Sequence, residues 1–212
     1  MKRPSTIDDR VLVLPPRFLA GIDYYRLAAR YRYVAVDPDI AFNKRAKTVH
    51  RTTIADTRGP LQLTVPIAKV DHATRARWSD VAVSSHNQWW NAMMTSLESA
   101  YGRTPFFEFY VDRFKPFFGP RSDGGGEPIT ALDDGLHRVA CDILGLPAPL
   151  TVADAMALDL PTDDYRRAPM PEMPPVKPYY QVRADRLGFI PGLSIVDLIF
   201  NTGTEAPLYL YN

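Results

Sequence analysis

The sequence predicts one domain of α/β or α+β class, with a mixed sheet, helices packed on it and a long proline-rich segment wrapping the outside. Three observations predict it. Strand-like apolar runs bracket a helix-spaced stretch near the amino terminus, two further strand-like segments face each other across a Gly-Pro reversal, and two long amphipathic stripes follow. At 212 residues, 46% hydrophobic and 23% charged, the chain has the length and composition to bury a sizeable core.

Residues 1–10 are polar and are expected to be frayed, so the domain is placed at 11–212. Val11 to Leu14 is a buried strand closed by Pro15-Pro16. Phe18, Leu19, Ile22, Tyr25 and Ala29 fall at helical spacing, and Tyr33 to Val36 restores a strand before Asp37-Pro38. Thr52 to Ile54 and Leu61 to Ile67 flank Asp56-Thr57-Arg58-Gly59-Pro60, which predicts an antiparallel hairpin. Trp78 to Val83 alternates like a further strand.

Trp90, Met93, Met94, Leu97, Ala100 and Tyr101 form one apolar face of a helix starting near Asn87 and stopped by Gly102. Residues 101–118 hold eight aromatics, which assigns them to the core. Thr130 and Asp133 have capping-box spacing ahead of the stripe Leu132, Leu136, Val139, Ala140, Ile143 and Leu144, and Gly145 with Pro147 ends that helix. Gly124-Gly125-Gly126 is read as a flexible turn. Six prolines in residues 161–178 preclude regular helix or a central strand there. Pro178 suits the first turn of a helix running to Gly188, and Ser194-Ile195-Val196-Asp197 is a capped start to a helix stopped at Asn201-Thr202-Gly203.

Several functions are excluded at this level. One cysteine, Cys141, precludes an internal disulfide or a zinc ribbon, and His50, His72, His86 and His137 lack metal-ligand spacing. No metal or cofactor is therefore expected. Cys141 has His137 one helical turn before it but sits beside the apolar stripe, which reads as an inert thiol. Nucleotide-loop and nucleophile-elbow motifs are absent. No apolar run is long enough for an integral membrane segment and no export leader is evident, so a cytoplasmic location is expected. Residues 1–119 carry 18 Lys and Arg against 11 Asp and Glu, and the remainder 7 against 13, a polarity that attracts anions to the first part. Near-zero overall charge without a recognition motif argues against nucleic acid. Asp37 and Asp39 follow a predicted strand and precede Lys44, Arg45 and Lys47, which is where open α/β sheets bind ligands.

The series Leu14-Pro15, Asp23-Tyr24-Tyr25, Phe42-x-Lys44, His50-Arg51-x-x-Ile54, Leu63-Thr64-Val65-Pro66, Trp89 with Glu98-Ser99-Ala100-Tyr101, and Thr104-Pro105-Phe106-Phe107-Glu108-Phe109-Tyr110 resembles the WbqC-like protein family. The ending, from Lys177-Pro178-Tyr179-Tyr180-Gln181-Val182 to Asp197-Leu198-Ile199-Phe200-Asn201, is similar to the version found in Bacteroidetes-type bacteria. The resemblance spans about residues 11–210. It implies a cytoplasmic bacterial protein encoded among genes for O-antigen and other surface polysaccharides, with a transferase-like role. Val13-Leu14-Pro15 keeps only the proline of the family's His-Gln-Pro, His50-Arg51 replaces Asn-Arg, and Met93-Met94 replaces His-Trp.

Within that pattern Arg51 is the first choice for binding phosphate or carboxylate, with Lys44, Tyr24 and Lys177 as further substrate-binding candidates. His50, Asp37 and Asp39 are the candidate proton carriers. Two functions follow as expectations. One is a transferase of surface-glycan assembly that binds a small anionic ligand such as a nucleotide sugar or acyl donor. The other is a non-catalytic partner of pathway proteins.

Overall fold

The computed structural model of the protein describes residues 7–120 and 126–211. Strand β1 (Asp8–Leu14) is followed by helix α1 (Ile22–Ala28) and strand β2 (Tyr31–Val36), which pairs with β1 in parallel. Strand β5 (Thr162–Asp164) returns to the other edge of β1, also parallel, giving the order β2-β1-β5. β1 alternates its burial between two faces. Leu12 and Leu14 enter the main core, whereas Val11 and Val13 pack with Ala35, Ala155 and Leu150 in a smaller cluster on the opposite face. Burial on both faces explains why the strand reads as a continuous apolar run.

The predicted hairpin is present as β3 (Arg51–Asp56) and β4 (Gly59–Thr64), antiparallel and closed at the Asp56–Gly59 pair. Gly59 has φ 120°, a conformation that favours glycine, which accounts for the reversal there. Parallel and antiparallel pairing are thus divided between two sheets. Helix α2 (Trp89–Tyr101) begins two residues later than the periodicity suggests, because Asn87 and Gln88 both adopt positive φ. Helices α3 (Phe107–Phe114), α4 (Ile129–Ile143), α5 (Val152–Met156), α6 (Ala184–Leu187) and α7 (Ile195–Thr202) complete the order. The aromatic segment joins the core as predicted: Tyr101, Phe107 and Phe114 each pack a ring on Phe200 of α7. Phe109 is the exception, at 75% exposed.

Several elements differ from expectation. β1 opens at Asp8, held by the Asp8–Tyr31 pairing and by an ion pair from Arg10 to Asp163. The helix expected from Phe18 starts at Ile22. Leu19 has positive φ, and its carbonyl accepts from the Thr52 and Ser194 hydroxyls at 2.8 Å each, fixing a turn between α1, β3 and α7. Residues 78–83 form a 3₁₀ turn, Trp78–Asp80, followed by isolated bridges, because the Asp80 carboxylate accepts from the Arg77 amide at 2.8 Å and closes the chain into a turn. Thr130 does not cap α4. Its helix starts at Ile129, and both Thr130 and Asp133 are buried. No regular helix starts at Pro178, because Gln181 and the Val182 amide are instead bonded to Asp197, Ile190 and Asn201.

Ser194 does cap α7, accepting from the Val196 amide at 3.5 Å, and Gly203 ends it at φ 53°. Residues 161–178 form no helix, as expected, and their one regular element is the three-residue edge strand β5. Two glycines of the predicted turn at 124–126 lie outside the described residues. Among the described residues no helix is long and apolar enough to cross a membrane.

Candidate functional site

The three parallel strands end together at Leu14, Val36 and Asp164. Because β2 and β5 lie on opposite sides of β1, the end of β1 is a point where strand order switches direction, and such points open a crevice outside the strand carboxyl ends. Arg166 spans that crevice. Its Nη1 donates to Asp37 Oδ2 at 2.8 Å and its Nη2 to Asp164 Oδ2 at 2.7 Å, tying the two outer strand ends together across β1. Hydrogen bonds from Arg166 hold the Asp164 carboxyl below its ordinary range. Asp37 Oδ1 accepts from the Asp39 amide at 2.8 Å, and Ser79 Oγ donates to Asp39 Oδ1 at 2.5 Å.

Four cavities open around this edge, and they divide by charge. One of about 420 Å³ is walled by Asp37, Asp39, Asp164, Arg166 and Arg167. A second, of about 380 Å³, lies towards α4 and α5 and includes Asp37, Asp39, Thr130, Asp134 and Arg138. The other two have no carboxylate in their walls. One, of about 220 Å³, gathers Arg17, Lys47 and Arg51 with Thr48, Gln62 and Ser194. The other, of about 530 Å³, contains Phe42, Trp78, Tyr165 and Arg167, and shares Arg17 and Thr48 with its smaller neighbour.

The small cavity is assembled by the fold rather than by any one motif. Arg17 leaves β1 behind Pro15-Pro16, Lys47 opens a 3₁₀ turn, and Arg51 is the first residue of β3. The Phe18 amide donates to the Thr48 carbonyl at 3.0 Å and brings these segments together. Arg17 is half-buried, its Nε is enclosed without a partner, and among the described residues it makes no ion pair. Its guanidinium rests 5.6 Å from the Tyr24 ring centroid, and burial lowers its pKa. Arg51 Nη1 donates to the neutral Gln62 Oε1 at 3.2 Å, and its Nε is likewise enclosed without a partner. A partly desolvated cation without a counter-charge is energetically costly, and an anion in this cavity would offset that cost.

The structure distributes the sequence candidates unevenly. Arg51 lines the cationic cavity, whereas Asp37 and Asp39 line the acidic pair. Tyr24 is buried beneath Arg17 and donates to the Pro15 carbonyl at 3.1 Å. His50 is buried, its Nδ1 3.2 Å from the Val65 carbonyl oxygen, and desolvation lowers its pKa. It lies outside the walls of the four cavities. Lys44 is in an exposed turn and Lys177 is exposed on the extended segment, and neither enters those walls. Arg17 and Arg166 are not among the sequence candidates, and Lys47 enters them only as the end of the basic run after Asp39. For Arg17, a cation directly after a proline-closed strand was the available signal.

Helix α4 carries a second polar cluster. Tyr25 Oη lies 3.2 Å from His137 Nδ1, and Cys141 Sγ lies 3.6 Å from His137 Nε2. Burial pushes the thiol up to about 12 and the imidazole down to about 4, so both are neutral near pH 7 and no reactive thiolate forms. Among the described residues no group of three or more His, Cys, Asp or Glu is placed to hold a metal ion.

No curated protein and no solved structure is significantly similar to the chain. The model of the WbqC-like protein family matches residues 16–167. That span takes in Arg17, Asp37, Asp39, Arg51 and Arg166, while Lys177 and the closing motifs lie beyond it. With well over half its length matched, including Asp37, Asp164 and Arg166 at the strand ends, the chain belongs to the WbqC-like protein family.

Proposed function

We propose that the protein binds the phosphate groups of an activated sugar or acyl donor beside the end of β1 and acts, as a transferase-like protein, in the assembly of bacterial surface polysaccharide. One observation carries the reading: half-buried Arg17, with Lys47 and Arg51, surrounds a cavity whose walls contain no carboxylate. Cations fixed in a partly desolvated recess favour phosphate far more than the same charges in open water. The polysaccharide reading draws on the family resemblance, which implies a protein encoded among O-antigen-type genes and a cytoplasmic location.

The acidic cavities supply the complementary half of a transfer. As an acceptor hydroxyl attacks the donor's electrophilic carbon, Asp39, which is exposed and lines both acidic cavities, takes the acceptor proton. The bond from that carbon to the leaving group breaks, and the departing negative charge remains with Arg17 and Arg51. Asp37 is a positioning residue in this scheme, since Arg166 and the Asp39 amide occupy its oxygens. Those commitments, and the enclosure of His50 against Val65, favour a second reading in which the protein holds the donor for a partner enzyme without turnover.

Calorimetric titration with a panel of nucleotide sugars and acyl donors tests the binding. At least one ligand is expected to bind, with affinity lowered tenfold or more by Arg17→Gln or Arg51→Gln and weakened by added salt. Silence across the panel at millimolar ligand overturns the proposal. Binding without donor consumption, when candidate acceptors are supplied, selects the second reading.

A further inference from the structure

We infer that the two carboxylate-free cavities together form a site for a nucleoside diphosphate moiety, with the diphosphate against Arg17, Lys47 and Arg51 and the base against Phe42 and Tyr165. The inference rests on the anion-binding reading above and extends it to the organic part of the ligand. Size supplies the first argument. The cationic cavity, about 220 Å³, is smaller than the roughly 300 Å³ at which small-molecule sites usually begin, so it suits the charged head of a larger ligand rather than the whole of one. Its neighbour, about 530 Å³, lies within the usual range, and the shared residues Arg17 and Thr48 make the two continuous.

The chemistry of the larger wall supplies the second. A sugar ring presents hydroxyls that call for carboxylate or amide acceptors, and these walls contain no carboxylate. The Asn43 side-chain Oδ1 is already accepting from the Arg45 backbone amide at 2.9 Å. What the cavity does offer is flat apolar surface. The half-buried ring of Phe42 is backed by Trp78 at 4.7 Å between centroids, which holds it in place, and Tyr165 and Met170 contribute further apolar wall. Planar heterocycles stack on such rings with little dependence on which base is present. Charge agrees with this placement. Arg166 is neutralised by Asp37 and Asp164, whereas exposed Arg167 makes no ion pair among the described residues and extends the positive wall begun by Arg17.

A nucleoside diphosphate moiety occurs both in nucleotide sugars and in the 3′-phosphorylated adenosine diphosphate of coenzyme A, so the experiment separates these sources. Isothermal titration would use inorganic pyrophosphate, UDP, dTDP, GDP, ADP and coenzyme A with the wild-type chain, Phe42→Leu and Tyr165→Leu. Base stacking is expected to make at least one nucleoside diphosphate bind about tenfold or more tightly than pyrophosphate. Phe42→Leu and Tyr165→Leu should each reduce that ratio while leaving pyrophosphate affinity unchanged, a control for folding that does not depend on the aromatic wall. Preference for UDP, dTDP or GDP supports the moiety as part of a nucleotide sugar, and preference for ADP and coenzyme A supports it as part of an acyl carrier. Equal affinity for pyrophosphate and every nucleoside diphosphate overturns this inference while sparing the anion site. Absence of binding by all six ligands overturns both.

Discussion

The His137 imidazole and the Asp133 carboxyl, one turn apart on α4, should impose opposite pH dependences on stability. His137 is almost wholly buried, and desolvation lowers its pKa from the ordinary 6.5 to about 4. The unfolded chain takes up a proton below pH 6.5 that the folded chain refuses, so the contribution of neutral His137 is complete above that pH and is lost as pH falls towards 4. At about 1.4 kcal/mol per pH unit this amounts to roughly 3 kcal/mol. Asp133 is 2% exposed, neither of its oxygens has a hydrogen-bond partner, and burial raises its pKa well above 3.8. Its folded form stays protonated while the unfolded form ionises, so its contribution is greatest below pH 3.8 and declines as pH rises towards the folded value. Between pH 4 and 6.5 the two slopes oppose each other. Guanidinium denaturation of wild type, His137→Gln and Asp133→Asn at pH 4.5, 5.5, 6.5 and 7.5 reads them separately. The stability of His137→Gln relative to wild type should rise by about 2 kcal/mol from pH 6.5 to 4.5, and that of Asp133→Asn should fall over the same interval. The slopes are informative whatever fixed packing cost each variant carries. Three parallel profiles would refute the assignment of these groups as buried and neutral.

Gly203→Ala should destabilise the chain by about 2 kcal/mol or more, read as a lowered Tm, because φ is 53° and an added Cβ would fall 2.3 Å from the Phe106 ring. Tyr179→Phe should cost about 1–3 kcal/mol by chemical denaturation, since it removes the 2.5 Å hydrogen bond to Asp197, a buried carboxyl that also accepts from Gln181 Nε2 at 2.9 Å. Cys141, with its thiol pushed up to about 12, should react with a disulfide reagent at pH 8 only at the rate of unfolding, and prompt stoichiometric labelling of the native chain would contradict its burial. Arg17→Met should leave ligand-free stability unchanged or raise it by up to about 2 kcal/mol while abolishing anion binding in a calorimetric titration. A large loss of stability would make Arg17 a structural residue instead.

Periodicity made much of the scaffold legible. The apolar run at 11–14, the stripe through Trp90 and Leu97, and the Gly-Pro reversal each encode a local geometry, and β1, α2 and the β3–β4 hairpin follow from them. Where reading failed, a tertiary partner had displaced the local rule. Thr130 and Asp133 have capping-box spacing, yet Ile129 already begins α4 and both side chains turn inward. Pro178 suits a helix start, but Gln181 is claimed by Asp197 and Ile190. The candidate site divides in the same way. Arg51, Asp37 and Asp39 were visible because each sits beside a strand end or in a recognisable motif. Lys47 was visible only as the end of a basic run and Arg17 not at all, because what marks them is the absence of a nearby carboxylate, and that depends on distant segments of the chain.

That distance also explains why the cationic cavity is held in place at so little cost in fold complexity. Leu14 ends the central strand of a sheet only three strands wide, and Pro15-Pro16 stiffens the exit, so Arg17 is carried to the crevice by backbone restraint rather than by an ion pair. Its neighbour Leu19 is pinned by the hydroxyls of Thr52 on β3 and Ser194 at the start of α7, and the Phe18 amide is bonded to Thr48. Arg17, Thr48 and Arg51 are therefore fixed relative to one another through main-chain and neutral side-chain contacts. A carboxylate could have anchored Arg17 just as firmly, as Asp37 and Asp164 do for Arg166 on the other side of the same crevice. It would also have neutralised the charge. An arginine anchored by neutral groups keeps its full attraction for an anion arriving from solvent, and this contrast between Arg17 and Arg166 is the physical ground of the proposed anion site.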